Sequence, residues 1–407
     1  MYQTIDSIRV WGTPLENAVS QAVTCSRHGN VVQVLLMADH HKGYSQPVGG
    51  VVVYDGQISP SGVGYDIACG NKAVRTNLHY DEIKDKISAI MDQIAKQISF
   101  GIGRVNKERV EHELFEDDAW YIYQQFGKHE HDSLKALAKS QLGTVGSGNH
   151  FVDLFVEETT GMVWVANHFG SRGFGHKTAS GFLNLASGRK FSDKAPGESM
   201  DQPPSLFDLN SELGEMYFDA MTLAGKYAYA GRDFVIKQVL DILGAEATFE
   251  VHNHHNFAWK EEHQGKEYVV VRKGATPSAP GQLGFIGGSM GDRSVIVKGV
   301  DSQENKDAFY STVHGAGRIM SRTEAAGRMN WKTRKRSGGK ITKEQMKQAI
   351  REFGVELRGA GTDESPFVYK KLSEVLKAHE NTLEILHVLK PIGVCMAGEN
   401  EFDPYKD

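Results

Sequence analysis

The sequence predicts an α+β protein in which mixed β-sheets are flanked by helices. Short runs rich in β-branched residues, at 31–37 and 49–54 for example, have the length and composition of buried strands. Amphipathic spacing of helical period fills 80–142 and much of 175–243. Because no fixed-period repeat or low-complexity linker interrupts the 407 residues, we expect a single domain, 1–407, with 80–142 and 175–243 as helical inserts.

Each element follows from its local pattern. Helices are predicted where apolar residues recur every three or four positions, and strands where short apolar runs end in glycine, asparagine or aspartate. These rules predict helices at 15–23, 80–98, 107–126, 133–141, 175–187, 207–243, 342–352 and 369–378. They predict strands at 31–37, 49–54, 162–166, 248–251, 268–271, 294–300 and 386–395.

The composition is that of a soluble globular protein, with 40% hydrophobic and 24% charged residues. The net charge of −5 gives no general basic signature, so any nucleic-acid binding must use a local patch. Three cysteines (Cys25, Cys69 and Cys395) are too few for a disulfide framework and favour a reducing compartment. With no signal sequence and no apolar run of membrane-spanning length, we expect a cytoplasmic protein without a membrane partner.

The chemistry is organised around the glycine-rich loop 59–70, which carries Asp66 and Cys69 three residues apart. Its glycines permit backbone conformations that larger residues resist, so both side chains can point to one place. A carboxylate and a thiolate that converge indicate a borderline transition metal. One Asp-x-x-Cys is weak by itself and requires further ligands downstream.

Four histidines supply such ligands, because each stands at a strand end or in a glycine-rich loop. One histidine of this kind is more often structural, but four beside Asp66 and Cys69 are too many for a single tetrahedral zinc. Two metals that share the thiolate would use them, and paired ions about 3.5–4 Å apart are a recurring device in phosphoryl displacement. The four histidines are His150, His168, His255 and His314. Three neighbours, His252, His254 and His263, are expected to be supporting or surface groups.

Several cations suit a phosphate substrate. Arg172, Arg272 and Arg318 each stand within two residues of a glycine, where a guanidinium and free backbone N–H groups can grip phosphate oxygens together. The run 328–340 holds six basic residues and no acidic one, with Trp331 inside it. This run is either a solvated face or a contact for an RNA backbone, with Trp331 stacked on a base.

Taken together and in this order, the motifs closely resemble the RtcB family of RNA ligases, from about residue 39 to residue 395. The motifs that carry the resemblance are Gly-Val-Gly-Tyr-Asp66-Ile-Ala-Cys69-Gly, Gly-Ser-Gly-Asn149-His150-Phe, His168-Phe-Gly-Ser-Arg-Gly, His255-Asn256, Arg272-Lys-Gly-Ala, Gly-Ser289-Met-Gly and His314-Gly-Ala-Gly-Arg.

The resemblance implies a fold of RtcB type around a dinuclear metal cleft. Cys69 would bridge two Mn²⁺ ions, one completed by Asp66 and His150 and the other by His168 and His255. His314 would attack the α-phosphate of GTP and become a histidine–GMP intermediate. Asp153 stands where the family has a glutamate that reads the guanine edge. The other implied nucleotide contacts are Asn149, Asn256, Ser289, Ser294 and Tyr369.

The implied activity is GTP- and Mn²⁺-dependent joining of an RNA 3′-phosphate or 2′,3′-cyclic phosphate to a 5′-hydroxyl. The reaction would pass through histidine–GMP and RNA-3′pp5′G intermediates, in tRNA splicing or RNA repair, with broken or spliced tRNA as the RNA partner. The need for an accessory activator protein stays open. Two alternatives dispense with His314: a dinuclear metal phosphoesterase that opens 2′,3′-cyclic phosphates without nucleotidyl transfer, and a metal-stabilised RNA-binding protein without catalysis.

Three departures from the family pattern leave the implied ligands and nucleophile intact. The family's Pro-Asp-Val-His reads Ala38-Asp39-His40-His41, so His40 is expected to be an extra surface histidine. A family proline is Gly287, and a C-terminal family lysine is Ala397. These two changes bear on nucleotide affinity and guanine selectivity.

Overall fold

A computed structural model describes residues 1–106, 109–194, 199–330, 332–333 and 335–399. It confirms the predicted mixed α+β class. Capping defines the longest helix: the Ser211 hydroxyl accepts the Gly214 N–H at its start, and Gly244 ends it in the left-handed conformation (φ 63°). The α-helices are α1 Glu16–Ser26, α2 Pro60–Val63, α3 Tyr80–Ile83, α4 Ile87–Gln97, α5 Tyr121–Gln124, α6 Lys128–Gln141, α7 Arg172–Ala186, α8 Glu212–Leu243, α9 Gln303–Asp307, α10 Arg322–Ala326, α11 Lys343–Phe353 and α12 Leu372–Lys377.

The strands range from two-residue pairings to a 16-residue strand near the C-terminus. They are β1 Gln3–Ile5, β2 Ile8–Val10, β3 Val31–His41, β4 Val48–Tyr54, β5 Gln57–Ile58, β6 Gly70–His79, β7 Phe151–Glu157, β8 Met162–Phe169, β9 Phe207–Asp208, β10 Ala247–His254, β11 Asn256–His263, β12 Lys266–Lys273, β13 Ala275–Pro277, β14 Leu283–Ile286, β15 Ser294–Gly299, β16 Ser311–Val313, β17 Arg328–Asn330, β18 Lys335–Ser337, β19 Glu356–Ala360 and β20 Leu383–Gly398.

Two large sheets organise these strands. One has the order β1-β2-β3-β4-β12-β11, and the other has the order β10-β6-β8-β7-β20-β15-β14, with β19 paired to β20. Most neighbours are antiparallel; β2–β3 and β19–β20 are the parallel ladders. The chain passes from one sheet to the other at His255, the single residue between β10 and β11.

Buried apolar side chains pack the helices against both sheets. One core packs α1, α7 and α8 against the six-stranded sheet through residues such as Phe174, Tyr227 and Val271. Another packs α4 and α8 against the eight-stranded sheet through Met91 and Val165. Helix α8 therefore packs against both sheets and links their two cores.

Some predicted elements differ in the structure. Residues 109–126 form two 3-10 turns (Glu113–Glu116 and Asp118–Trp120) followed by α5 rather than one helix, and residues 107–108 lie outside the described part. Residues 207–208 pair with β5, so α8 begins at Glu212. Tyr369 is extended (φ −115°, ψ 152°), and α12 begins only at Leu372. Strands β6, β7 and β11 were not predicted. In the described residues no helix is long and apolar enough to cross a membrane.

Candidate metal centre and active-site cleft

The predicted metal ligands come together at one end of adjacent strands of the eight-stranded sheet. Cys69 immediately precedes β6, and His150 immediately precedes β7. His168 lies near the end of β8, in register with Asn71 and Phe151 on its two neighbours. His255 follows β10, and its backbone N–H donates to the Cys69 carbonyl at 2.8 Å. Antiparallel pairing thus brings residues that are far apart in sequence to one sheet edge.

Three donor atoms form a compact buried cluster. The Cys69 Sγ lies 3.7 Å from His150 Nε2 and 3.6 Å from His168 Nε2. The ligand atoms of these three residues all fall within 4.8 Å of one another, which suits a single coordination sphere. Asp66 extends the cluster, because its Oδ2 lies 3.0 Å from His150 Nε2.

Both histidine rings are oriented by hydrogen bonds on their far side. His150 Nδ1 donates to the Val145 carbonyl at 2.8 Å, and His168 Nδ1 donates to the Asn71 side-chain oxygen at 2.8 Å. Each Nε2 therefore directs a lone pair towards Cys69, as metal-binding histidines do. Burial lowers the pKa of His168 well below its usual value, which keeps this ring in the neutral form that binds metal.

His255 lies directly beside the cluster. Its ring stacks on His168 at 5.0 Å between centroids, and burial lowers its pKa well below the usual value. Its Nδ1 is buried and has no hydrogen-bond partner among the described residues. A buried imidazole nitrogen without a partner is unfavourable unless another group takes its lone pair.

The charges of the donor set fit a cation. Burial and the neighbouring Asp66 raise the pKa of the Cys69 thiol well above its ordinary value. Burial acts to raise the pKa of Asp66 as well, but the interaction with His150 lowers it to about 2, so Asp66 is a carboxylate at neutral pH. A lone pair on His150 Nε2 at 3.0 Å from that carboxylate is repulsive unless a proton or cation lies between them. A bound transition metal would satisfy both groups and hold the thiol as thiolate.

A buried arginine fixes the loop that carries Cys69. Arg232 on α8 has no exposed surface and donates to the carbonyls of Ala68 at 3.0 Å and Phe169 at 2.7 Å. Ala68 has a left-handed backbone (φ 59°), and this conformation costs ~1–3 kcal/mol for a residue that carries a Cβ. Arg232 also contacts His252 Nε2 and His254 Nδ1, each at 2.9 Å, so these two histidines support the site from behind.

The candidate nucleophile is held from the other sheet. His314 follows β16, and its Nδ1 lies 2.6 Å from the Oδ2 of Asp39 on β3. The same oxygen accepts the backbone N–H groups of His314 at 2.9 Å and Gly315 at 3.2 Å. The His314 ring lies 4.9 Å from that of His255, which places it next to the cysteine–histidine cluster.

A cleft of about 690 Å³ joins the cluster to His314. Asn256 is fixed there by a 2.7 Å hydrogen bond from the Gly274 N–H to its side-chain oxygen. Ser294 does not line the cleft; its hydroxyl accepts the Gly288 N–H at 3.0 Å and braces the neighbouring loop. The predicted site residues that line the cleft are Asp66, Cys69, Asn149, His150, Asp153, His168, Asn256, His255, Ser289, His314 and Tyr369.

Asp153 presents an unsatisfied acceptor in this cleft. Its side chain is 6% exposed, and its Oδ1 has no hydrogen-bond partner among the described residues. Burial raises the pKa of this carboxyl well above its usual value. A ligand that offers adjacent N–H donors would satisfy it.

Two expectations about individual residues are wrong. Arg272 cannot grip a phosphate, because it is fully buried and binds both Glu261 oxygens at 2.6 and 3.0 Å. His40 is fully buried rather than on the surface; its Nδ1 donates to the Met37 carbonyl, and its Nε2 accepts the Leu15 N–H. The predicted stacking residue Trp331 lies outside the described residues.

Other cations and histidines have structural partners. Arg172 lies near Asp66, and its Nε donates to the Thr144 hydroxyl at 3.4 Å. Arg318 donates to the Tyr369 hydroxyl at 3.2 Å and the Asp363 carbonyl at 2.8 Å on the cleft wall. His263 is buried and lies 3.0 Å from Glu261.

Sequence reasoning assigned no role to Asn71 or Arg232 and noted Asp39 only as a retained motif residue. Their partners are distant in the chain: Arg232 and Ala68 are 164 positions apart, and Asp39 and His314 are 275 apart. The sequence carried a usable signal for Arg232, since an arginine in a largely apolar stretch of a long helix requires buried acceptors when it is buried.

The fold and the cluster define an α+β protein whose buried cysteine–histidine group has the donor set of a transition-metal centre. The family model described as "tRNA-splicing ligase RtcB" matches residues 21–397. The chain therefore belongs to the RtcB family, which confirms the resemblance carried by its motifs.

Curated relatives agree along most of the chain. The "tRNA-splicing ligase RtcB" of Thermococcus kodakarensis is 32% identical, over 88% of this chain and 86% of the relative. The "RNA-splicing ligase RtcB" of Escherichia coli K12 is 29% identical, over 96% of this chain and 97% of the relative. The "tRNA-splicing ligase RtcB" of Methanococcus maripaludis is 31% identical, over 88% and 87%.

Proposed function

We propose that this protein is an RNA ligase that uses GTP and Mn²⁺ to join RNA 3′-phosphate or 2′,3′-cyclic phosphate ends to 5′-hydroxyl ends. The observation that carries the proposal is the pairing of His314 with Asp39 beside the Cys69–His150–His168 cluster. A phosphoesterase that attacks with metal-activated water does not require a histidine nucleophile at that position. Family membership and the relatives' printed names support the ligase class.

The proposed ligands would hold two Mn²⁺ ions, with the Cys69 thiolate available to both. Asp66 and His150 would complete one ion, and His168 and His255 the other. When bound, the ions would neutralise phosphate charge and activate a hydroxyl for attack. The pairs His150–Val145 and His168–Asn71 hold two of the ligands in place before any ion arrives.

His314 is the proposed nucleophile. The Asp39 carboxylate lies 2.6 Å from Nδ1, so Nε2 is the nitrogen assigned to attack the α-phosphorus of GTP. The new N–P bond gives histidine–GMP, and the bond to pyrophosphate breaks. Asp39 stabilises the positive charge that the ring gains.

The remaining steps pass GMP to RNA. A 3′-phosphate, formed where necessary by opening of the cyclic phosphate, displaces His314 and yields RNA-3′pp5′G. The 5′-hydroxyl of the second end then attacks the activated phosphorus and expels GMP. We assign Asp153 to the guanine edge, since its free Oδ1 suits the adjacent N1–H and N2–H₂ donors. The further assigned nucleotide contacts are Asn149, Asn256, Ser289 and Tyr369, whereas Ser294 acts through the loop that it braces at Gly288.

We infer that the substrates are broken or spliced tRNA and that the reaction takes place in the cytoplasm. All three cysteines are buried free thiols, and a Cys69 ligand must stay reduced. Whether an accessory activator protein is required would follow from comparing turnover of the purified protein with turnover in a cell extract.

The proposal is tested by incubation with α-labelled GTP and Mn²⁺ and separation on a denaturing gel. Wild type is expected to take an acid-labile, alkali-stable label, and His314→Ala none. His131→Ala on α6, away from the cleft, serves as the matched control and is expected to label normally. If wild type opens a 2′,3′-cyclic phosphate without taking label or joining ends, the proposal is wrong and the phosphoesterase function is favoured.

A further inference from the structure

Asp39 lies in a bulge near the end of β3. Leu36 is in register with Gly50 on β4, and His41 is in register with Val48, so β3 advances by more residues than its partner between these pairs. The residues in between leave the ladder, and the Asp39 side chain reaches the candidate nucleophile from there. A bulge redirects a side chain in this way but leaves backbone groups that need other hydrogen-bond partners.

Side chains supply those partners. The ammonium of Lys370 donates to the carbonyl oxygens on either side of Asp39, at 2.8 Å to Ala38 and at 3.3 Å to His40. The rings of His40 and His41 donate to the other two carbonyls of residues 37–40, at 2.6 and 3.1 Å. Ala38 and His40 are both buried, so removing the ammonium would leave two buried acceptors unsatisfied.

The same lysine also holds the loop that carries His314. Its backbone N–H donates to the carbonyl of Gly317 at 3.0 Å. Gly317 is left-handed (φ 73°), and a Cβ at this position would lie 2.2 Å from the Asp39 carbonyl oxygen, so the loop lies directly against the bulge. Lys370 therefore stands where the two segments that supply Asp39 and His314 meet.

We propose that Lys370 is a positioning residue for the nucleotidyl transfer: its ammonium fixes the bulge that aims Asp39, and its backbone fixes the loop that carries His314. Together these contacts set the 2.6 Å approach of Asp39 to His314 Nδ1. The inference rests on the proposed function, because it takes His314 as the nucleophile. Lys370 does not line the cleft, so its loss is expected to slow attack on phosphorus and to leave GTP binding unchanged.

The test measures the single-turnover rate of label transfer from α-labelled GTP, with Mn²⁺, over a range of GTP concentrations. Lys370→Met removes the ammonium at similar length and is expected to lower the maximal rate about 5- to 30-fold, with the GTP concentration at half-maximal rate unchanged. Lys370→Arg keeps a charged donor and is expected to restore most of the rate. Lys226→Met on α8 is the matched control, since its ammonium binds Asp117 at 2.6 Å and does not line the cleft.

A double-mutant cycle separates positioning from a general loss of structure. If Lys370 acts through Asp39, Lys370→Met in an Asp39→Asn background is expected to cause a clearly smaller fold-loss than it causes in wild type. Losses that multiply would mean that the two residues act independently, and the inference would be wrong. Thermal unfolding verifies that each variant is folded. If Lys370→Met does not fold, Lys370→Gln, which keeps an uncharged donor, takes its place in the cycle.

Two other results overturn the inference. One is a maximal rate in Lys370→Met within twofold of that in Lys226→Met. The other is a change confined to the GTP concentration at half-maximal rate, which would assign Lys370 to nucleotide binding. An unlabelled wild type contradicts the proposed ligase, whereas a labelled wild type with an equal rate in Lys370→Met contradicts only the positioning role.

Discussion

Replacing Asp39 with asparagine tests how the candidate nucleophile is oriented. Asp39 is fully buried on β3, and one carboxylate oxygen lies 2.6 Å from His314 Nδ1 and accepts hydrogen bonds from two backbone N–H groups. Burial acts to raise the pKa of Asp39, but the charge and hydrogen bonds of His314 lower it below its usual value. Asp39 is therefore an anion at neutral pH, and Asp39→Asn removes that charge at nearly constant volume.

The expected effect follows from the change in hydrogen-bond type. A hydrogen bond to a charged group contributes about 1.5–3 kcal/mol and a neutral one about 0.5–1.5 kcal/mol. The charge matters most when the His314 ring becomes positive during attack on phosphorus. A difference of about 1–2 kcal/mol in the transition state slows the reaction about 5- to 30-fold.

The assay is the single-turnover rate of label transfer from α-labelled GTP to the protein. Asp117→Asn is the control, since Asp117 also accepts a backbone N–H (from Ala119, at 2.9 Å) but lies outside the cleft. Thermal unfolding verifies that both variants are folded. A folded Asp39→Asn protein that labels within twofold of wild type would refute the argument that Asp39 orients and stabilises His314.

Three further predictions concern the ligands, the strand contacts and acid stability. Asn71→Ala is expected to weaken Mn²⁺ binding, measured by calorimetry, about 10- to 100-fold, because the His168 ring loses the hydrogen bond that orients it. An unchanged Mn²⁺ affinity would show that Asn71 does not orient His168 for metal binding. Gly70→Ala is expected to lower the free energy of unfolding by about 1–3 kcal/mol, because the added Cβ would lie 2.1 Å from the Asn253 carbonyl oxygen. Gly398→Ala is the control, since a Cβ at Gly398 meets nothing within 4 Å. Equal stability of the two variants would refute the prediction. Burial lowers the pKa of His40 to about 4, so the unfolded chain binds more protons between that value and about 6.5, and stability falls as the pH falls through this window. Urea unfolding at pH 7.5 and 5.0 is expected to show an acid loss about 2 kcal/mol larger in wild type than in His40→Gln, and equal losses would exclude His40 as a source.

Much of the fold was predictable where one local pattern determined the element. The periodic apolar spacing of α7, α8 and α11 predicted helices close to their observed bounds. Strands β6, β7 and β11 were missed because they carry polar residues such as Asn71, Asp153 and Lys260 among their apolar ones. A strand that lines a site places functional groups on one face, which weakens the apolar pattern that identifies a strand.

The segment 109–126 shows the opposite failure. Its apolar spacing predicted a helix, but Phe115, Trp120 and Tyr123 reach the core from short turns. Asp117 caps one of these turns by accepting the Ala119 N–H, so local side-chain bonding replaced helix propagation. Packing of large aromatic side chains decided the backbone here.

The sequence alone determined the chemical types at the site: a thiol, carboxylates, imidazoles and glycine-rich loops, in an order that also identifies the family. Donor chemistry belongs to each residue and needs no fold to be recognised. Only the tertiary structure decided which of the charged and polar groups are paired with one another. It buried Arg272 against Glu261, placed Arg232 behind Cys69, and joined Asp39 to His314 across 275 positions. Contacts between such distant residues depend on how the two sheets bring their strand ends together, and local sequence patterns do not record that arrangement.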